Sequence, residues 1–191
     1  MNKGIKIRKN NTSGELITRY NEDIKSELDK YPSVITIPVQ WGLQDTNQHL
    51  NNVNWLRFVE SGRTDYTTML SLFMQPEKFF ELVSGKGKGM VVKGIEINFI
   101  KQVSYPDSLT IATRVTSLNS SKLEFNTKLY SLANDNLAGE CTATMLCYDF
   151  KEGKRCDFAP ELISAFEELE NDPLGAQELA LNLPTRINSN L

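Results

Sequence analysis

The fold of this 191-residue chain is constrained most by the order of two periodic patterns. One long stretch with helical periodicity is followed by several stretches with strand periodicity. Between Asn52 and Pro76, apolar or small residues recur every three or four positions, which predicts a helix: Val53, Leu56, Val59, Gly62, Tyr66, Met69, Leu70 and Phe73. Such a helix is about 33 Å long and can span a small domain. Ser61 and Gly62 are small enough to let it lie close to the element on which it packs.

The second half of the chain has the two-residue period of β-strands. Apolar and polar residues alternate along three segments, and a longer run follows the Asn134-Asp135-Asn136 turn: 95–99, 109–115, 123–129 and 137–150. A further β-branched segment, Val34–Gln40, precedes the helix, and its Pro38 favours a sheet edge or a bulge. We therefore predict an α+β fold, in which one strand and an antiparallel meander of four strands wrap around one long central helix.

The two ends of the chain are predicted to be accessory to this domain. Residues 1–14 carry four positive charges and no acid, which is typical of a disordered basic tail, with a weak mitochondrial presequence as the alternative. Residues 15–30 have the spacing of a short surface helix. Residues 160–169 predict a closing helix before a loosely held tail. We divide the chain into three parts: 1–33 (tail and short helix), 34–155 (main domain) and 156–191 (closing helix and tail).

Composition excludes several classes of function. A net charge of -3 and a pI near 5.3 give no general electrostatic reason to bind nucleic acid. No apolar run approaches the roughly 20 residues that cross a bilayer, so we expect no membrane span. We expect a cytoplasmic or mitochondrial protein.

The three cysteines also favour an intracellular location. Cys141, Cys147 and Cys156 contain no CxxC pair, and any disulfide scheme leaves one of them unpaired. On one strand, Cys141 and Cys147 lie roughly 20 Å apart, far beyond bridging distance. We therefore expect reduced thiols and no disulfide between these two.

Candidate chemistry is concentrated in residues 40–63, QWGLQDTNQHLNNVNWLRFVESGR, which contain the only histidine of the chain. A set of polar residues lies there within eight positions, where the predicted strand gives way to the predicted helix: Asp45, Asn47, His49, Asn51 and Asn52. Polar side chains at such a junction meet the free backbone N–H groups of the first helical turn.

This segment and the layout of helix and strands together resemble the hotdog-fold thioesterases. The pattern D-x-x-x-H-x-N-N followed by E-S-x-R is similar to the 4-hydroxybenzoyl-CoA thioesterase-like acyl-CoA thioesterases, and DTNQH followed by NNV is similar to the plant acyl-ACP thioesterases. Tyr105-Pro106-Asp107 also matches the family pattern, and the resemblance covers roughly 34–150. Leu43 and Gln48 depart from it, since many members have an acidic residue and a glycine there.

The resemblance implies a single hotdog domain that hydrolyses acyl-CoA thioesters. Asp45 would be the catalytic carboxylate, acting either as general base on water or as nucleophile. N–H groups at the helix start near Asn52 would hold the oxyanion. His49 would relay or donate a proton, and Asn47 would orient the water or the carboxylate. Glu60 is a second carboxylate candidate.

Each of these residues also has a structural interpretation. Asp45 or Asn51 can serve only as a helix cap, and Asn47 as a turn residue. A single histidine such as His49 is often a buried, hydrogen-bonded residue. Glu60 can instead form an ion pair on the helix surface or across a subunit contact, with Arg57 or Arg63 as its partner.

Candidate substrate-binding residues lie within this segment and after it. Trp55 is a candidate for the acyl pocket, although aromatic residues at helical spacing are usually core. Lys86 and Lys88, in the sequence Gly85-Lys86-Gly87-Lys88-Gly89, are candidates for the phosphates of coenzyme A, with a solvated glycine-rich turn as the commoner meaning. One histidine beside one aspartate is a poor ligand set, so we predict no metal and no other cofactor.

The family resemblance also implies an assembly of at least two chains. Its sites lie between protomers, and a lone domain leaves a sheet edge or helix surface to be covered, so we expect a homodimer or homotetramer. The substrate is expected to be an acyl-CoA, with an acyl carrier protein as a further possible partner. Two alternatives stay open: a hotdog hydratase or dehydratase of acyl thioesters, and a non-catalytic acyl-CoA-binding, lipid-binding or assembly protein.

Overall fold

The computed structural model describes residues 16–180, which form an antiparallel sheet with a long helix on one face. The helices are Glu22–Leu28 (α1), Asn52–Met69 (α2), Pro76–Ser84 (α3), Pro160–Asn171 (α4) and Pro173–Ala180 (α5). The strands are Ser33–Val39 (β1), Lys88–Phe99 (β2), Asp107–Leu118 (β3), Lys122–Ser131 (β4), Asn136–Asp149 (β5) and Lys154–Arg155 (β6). The predicted α+β architecture is confirmed.

Helix α2 is the central helix that the periodicity predicted, and it ends in a short 3-10 turn at Leu70–Leu72. Gly62 permits its close approach to β3, because a Cβ there would lie 2.5 Å from Thr113 Oγ1. Val53 and Leu56 belong to the apolar stripe in sequence, yet both are exposed on the side of α2 that faces away from the sheet. The helix therefore has an apolar surface that the described chain leaves open.

The order of strands differs from the predicted meander. The sheet runs β1-β3-β4-β5-β2, with β6 on β5, so β2 pairs with β5 and not with its successor β3. The connection between β2 and β3 is too long for a tight hairpin, and it crosses the end of the sheet with Val103 buried. As a result β1 and β2 form the two edges.

The convex face of the sheet is covered by the segment before β1. An apolar cluster joins that segment to β3 and β4: Ile17, Tyr20, Ile24, Leu28, Tyr31, Ala112, Tyr130 and Leu132. Tyr20 adds hydrogen bonds, since its hydroxyl lies 3.0 Å from both Thr110 Oγ1 and the Tyr130 carbonyl oxygen. The predicted surface helix is thus shorter than 15–30 and packs on the sheet, whereas the predicted basic tail at 1–14 lies outside the described residues.

Two helices were not predicted from the sequence. Helix α3 follows Gln75 and has Pro76 in its first turn. Helix α5 replaces the first part of the predicted loose tail, because Ala176 and Ala180 are buried and the Gln177 side-chain amide donates to the Tyr31 carbonyl at 2.6 Å. The predicted closing helix is confirmed as α4. None of the described helices is long and apolar enough to cross a bilayer.

Candidate active site

The loop between β1 and α2 is folded by its own backbone into a tight turn. The N–H of Asp45 donates to the His49 carbonyl at 2.9 Å, and the N–H of Gln48 donates to the Asp45 carbonyl at 3.0 Å. Gln48 has φ +61°, in the left-handed region that favours glycine. This geometry explains why a glycine suits that position, and it costs a residue with a Cβ about 1–2 kcal/mol.

The two carboxylate oxygens of Asp45 have different surroundings. Oδ1 accepts the backbone N–H of Asn47 at 2.8 Å and lies 3.5 Å from the backbone nitrogen of His49. Within residues 16–180, Oδ2 has no hydrogen-bond partner. One oxygen therefore holds the turn, while the other is available to a ligand.

Helix α2 is capped by Asn51, whose Oδ1 accepts the N–H of Val53 at 3.2 Å. The interpretation of Asp45 as the helix cap is therefore wrong, and that of Asn51 is confirmed. The backbone N–H of Asn54 is satisfied by the Asn51 carbonyl at 2.8 Å. The N–H of Asn52, the first helical residue, has no acceptor in the described part of the chain and stays available at the positive end of the helix dipole.

Four of the predicted site residues line one cavity of about 290 Å³: Asp45, His49, Asn52 and Trp55. The connection from β2 to β3 forms its opposite wall, from Phe99 to Val103. His49 is half-buried, and its imidazole makes no hydrogen bond within the described residues. It is therefore not the buried, hydrogen-bonded residue of the structural alternative.

Trp55 forms the apolar wall of this cavity. Its indole N–H donates to the Leu50 carbonyl at 3.3 Å, and its ring packs edge-to-face on Phe99 with centroids 5.3 Å apart. Leu50 is itself tied to the opposite wall, because its N–H donates to the Val103 carbonyl at 2.7 Å. The indole is nearly inaccessible to solvent, so Trp55 is both core and cavity wall.

The other predicted site residues lie elsewhere. The side chain of Asn47 is exposed and does not line the cavity, although its N–H holds Asp45. Glu60 lies about 12 Å along α2 from Asn52. It is exposed and forms no ion pair among residues 16–180, so the predicted pairing with Arg57 or Arg63 is absent within this part of one chain.

The predicted lysines are also remote from Asp45. Lys88 begins β2 and Phe99 ends it, which separates the two by about 35 Å. Lys86 precedes the strand, and both lysines are exposed. Within one chain, neither can contact a ligand phosphate near Asp45 unless that ligand spans most of the domain.

A second, larger cavity of about 710 Å³ lies between α2, α3 and the sheet. Its lining combines Glu60 and several hydroxyl side chains of α2 with an apolar floor: Phe79, Leu82, Met90, Phe125 and Met145. Arg63 also lines it and is 9% exposed, yet its Nη1 has no hydrogen-bond partner in the described residues. Burial lowers the pKa of this guanidinium.

The burial of Arg63 was not predicted from the sequence, in which this residue was the arginine of the E-S-x-R pattern and a possible ion-pair partner of Glu60. The helical period contained the signal, because Arg63 follows Val59 by four residues and precedes Tyr66 by three. Both neighbours are fully buried. A charged side chain at such a position needs a partner, and the described residues supply none for Nη1.

No cluster of three or more histidine, cysteine, aspartate or glutamate side chains in residues 16–180 could hold a metal ion. The cavity at Asp45 thus offers one free carboxylate oxygen, one imidazole and one free helical N–H. A carboxylate beside an N–H donor can activate water, or attack directly, and can hold a developing oxyanion.

Comparison with known proteins places this arrangement in a family. The model of the thioesterase-like superfamily matches residues 39–166, and the chain belongs to that superfamily. Long-chain acyl-CoA thioesterase FadM of Escherichia coli (strain K12) is 24% identical over 125 residues, which cover 65% of this chain and 89% of FadM. A thioester hydrolase is therefore supported, and the predicted family is confirmed.

Solved structures support the same fold. A thioesterase from Thermus thermophilus, in complex with coenzyme A and Zn, has a TM-score of 0.63 at 18% identity, covering 75% of this chain and 97% of that one. DHNA-CoA thioesterase from Staphylococcus aureus has a TM-score of 0.62 at 16% identity, covering 73% and 91%. The predicted hotdog fold is confirmed.

Proposed function

We propose that this protein is an acyl-CoA thioesterase that hydrolyses the thioester to a free acid and coenzyme A. The observation that carries this proposal is the free Oδ2 of Asp45 in the same cavity as the start of α2. That combination supplies the activating carboxylate and the oxyanion donor that thioester hydrolysis needs. The relationship to FadM, a long-chain acyl-CoA thioesterase, supports the choice of substrate class.

In the proposed reaction the acyl carbonyl carbon lies beside Asp45 Oδ2. Either Oδ2 removes a proton from an attacking water, or it attacks the carbon itself and the resulting anhydride is then hydrolysed. In both routes the N–H of Asn52 stabilises the oxyanion, and one such donor is typically worth about 2.7–4 kcal/mol. The C–S bond breaks, and the thiolate of coenzyme A leaves.

Two neighbouring residues assist in this proposal. Asn47 orients the carboxylate through its backbone N–H, which is 2.8 Å from Asp45 Oδ1. His49 lies on the wall of the same cavity and donates or relays the proton that the leaving thiolate takes up. Trp55 and Phe99 exclude water from one side of the acyl group.

A second copy of the chain completes the site in this proposal. Strand β2 is an edge whose outer side has no partner among residues 16–180, and Val53 and Leu56 are exposed apolar side chains on α2. The buried Arg63 guanidinium, whose Nη1 has no hydrogen-bond partner in the described residues, is a further group that a partner chain could pair. A dimer would satisfy the strand edge, the apolar surface and this charge together.

A dimer also accounts for the candidate site residues that lie far from Asp45 within one chain. Antiparallel pairing of two β2 strands about a twofold axis places the Lys88 end of one strand beside the Phe99 end of the other. Lys86 and Lys88 of one chain would then approach the Asp45 cavity of its partner, where the phosphates of coenzyme A carry opposite charge. Glu60 would lie at the contact between the two chains.

The central test is thiol release across a panel of acyl-CoA thioesters of increasing length. We expect Asp45→Asn to lower kcat/KM by about 10²-fold or more with little change in Tm. Asp172→Asn is a matched control, because Asp172 Oδ1 also accepts a backbone N–H, that of Gly175 at 3.0 Å, and Asp172 directly precedes α5, away from the Asp45 cavity and from β2. Unchanged activity in Asp45→Asn would remove Asp45 from the mechanism.

Thiol release, combined with enoyl absorbance and acyl-CoA binding, distinguishes the thioesterase from the two alternative functions. A hydratase or dehydratase would change enoyl absorbance without releasing thiol, and a non-catalytic protein would bind acyl-CoA with neither signal.

Multi-angle light scattering tests the assembly: we expect a dimer for the wild-type protein and monomers for Leu56→Glu. Leu179→Glu is its control, since Leu179 is similarly exposed but lies on α5. A monomeric wild-type protein that retains full activity would contradict the completed site.

A further inference from the structure

Two cysteine side chains meet outside the candidate active site. The sulfur atoms of Cys147 and Cys156 lie 3.2 Å apart, and both residues are free thiols. Cys147 is on β5, and Cys156 directly follows β6. The two strands are antiparallel, with Tyr148 opposite Arg155, so Cys147 and Cys156 form the next opposite pair.

The backbone already holds this pair at bridging distance. The N–H of Cys156 donates to the Cys147 carbonyl at 3.2 Å, while the Cys147 N–H donates to the Ser121 carbonyl at 2.9 Å. Opposite residues of antiparallel strands have Cα atoms about 4.5–5.5 Å apart, within the roughly 4.4–6.8 Å range of disulfides. No rearrangement of the strands is needed to join the sulfur atoms.

The third cysteine is excluded from this pairing. Cys141 precedes Cys147 by six residues on the same strand and is buried in a different apolar cluster. Their separation along β5 is roughly 20 Å. A bond between Cys147 and Cys156 therefore leaves Cys141 as a free thiol.

We propose that Cys147 and Cys156 form a covalent modification site, at which a hydrogen peroxide-type oxidant closes a reversible intrachain disulfide. Cys156 is half-buried and reacts first: the O–O bond breaks, its sulfur becomes a sulfenic acid, and one water leaves. The sulfur of Cys147 then attacks that of Cys156. The S–O bond breaks, and the departing hydroxyl takes the proton of the Cys147 thiol as a second water.

The surroundings of the two thiols support this order. Cys147 is 2% exposed, and burial raises the pKa of its thiol, so it is a poor first target for a peroxide. In the second step the sulfur of Cys147 attacks that of Cys156, with which it is already in contact. This proximity compensates for the low reactivity of the buried Cys147 thiol.

The bond would join β5, which forms part of the wall of the larger cavity, to the chain that leads into α4. Cys147 lies opposite Met90 of β2, which lines that cavity. Cys156 is followed by Phe158, which packs in the same apolar cluster as Phe166 of α4. The disulfide would thus tie the β5 wall of the cavity to the chain that leads into α4, independently of the proposed catalytic function.

The test is to treat the reduced full-length protein with hydrogen peroxide and to map its thiols. We expect the number of titratable thiols under denaturing conditions to fall from three to one, with the loss of two hydrogen atoms in mass. Peptide mapping should identify Cys147 bonded to Cys156 within one chain. Closing a loop of about ten residues restricts the unfolded chain and should raise Tm by roughly 5–10 °C, and dithiothreitol should reverse the rise.

Two variants complete the test. Cys141→Ala should form the bond as the wild-type protein does, and Cys156→Ser should form none. The proposal is overturned if the bond links two chains or includes Cys141, or if Cys156 proceeds to sulfinic acid with both other thiols intact. It is also overturned if all three thiols stay titratable after the peroxide treatment, since no bond would then have formed.

Discussion

Helix α2 lies close to β3 at Gly62, so the substitution Gly62→Ala tests whether packing or helix propensity decides stability. Packing predicts a loss of stability, and helix propensity predicts a gain. A Cβ at position 62 would lie 2.5 Å from Thr113 Oγ1 and 2.7 Å from Ile111 Cγ2. Both neighbours are fully buried and β-branched, so their χ1 rotamers are restricted. Thr113 is further held because its hydroxyl is 3.2 Å from that of Thr127.

Two opposing terms set the magnitude for Gly62→Ala. Alanine in a helix interior is favoured over glycine by about 1 kcal/mol. Overpacking of a filled core costs about 1–3 kcal/mol, and two contacts with stiff side chains place this site in the upper part of that range. The net expectation is a loss of about 1–2 kcal/mol in the free energy of unfolding, or roughly 2–8 °C in Tm.

Differential scanning calorimetry and urea unfolding measure this effect, with Ser61→Ala as the matched control on the adjacent position of α2. The Ser61 hydroxyl donates only to the Arg57 carbonyl of its own helix, at 2.8 Å, so its removal should leave Tm unchanged or slightly higher. A rise in Tm for Gly62→Ala would refute the reasoning, because propensity alone would then decide the outcome.

Substitutions at two further positions test local interactions. Asn51→Ala removes the acceptor for the Val53 N–H and should cost about 1 kcal/mol, whereas Asn51→Asp should retain the cap, as measured by urea unfolding. Burial raises the pKa of Glu170 above 4.5, so the folded state retains its proton to higher pH than the unfolded chain does. Wild-type stability should therefore fall relative to Glu170→Gln as the pH rises from 4.5 through the raised pKa, and the difference should stay constant above it. A difference that does not vary with pH would contradict this, since the amide oxygen of the Glu170→Gln variant can still accept from Val115 and Tyr66 and so preserves the uncharged contacts.

Periodicity predicted those parts of the fold in which one face is buried by the chain itself. The helical stripe gave α2, and the small Gly62 within it gave the close approach to β3. The order of strands could not be obtained in the same way. Alternation in β2 shows that one face is buried but not which strand lies beside it, and the partner depends on where residues 100–106 cross the sheet.

Only those candidate site residues that are close to one another in sequence were correctly predicted to lie together. Residues near one another in sequence, Asp45, His49, Asn52 and Trp55, came together because one turn and the first turn of a helix fix their positions. Glu60 and Lys88 did not join them, since their distance from Asp45 within one chain is set by the lengths of α2 and β2. Only the geometry of an assembly, which local periodicity does not encode, could bring them to the same ligand.

The unequal roles of the two Asp45 oxygens lead to a final prediction. Asparagine at position 45 keeps an Oδ1 that can accept the Asn47 N–H, so Asp45→Asn should retain the turn and lose the charge. Alanine removes both, and Asp45→Ala should additionally lose about 1 kcal/mol of stability, or roughly 2–4 °C in Tm, because one hydrogen bond is gone. Thermal unfolding and thiol release, measured on both variants, therefore separate the structural from the chemical contribution. If Asp45→Asn loses as much stability as Asp45→Ala, the negative charge itself holds the turn, and a loss of activity in either variant would no longer identify Oδ2 as the reacting atom.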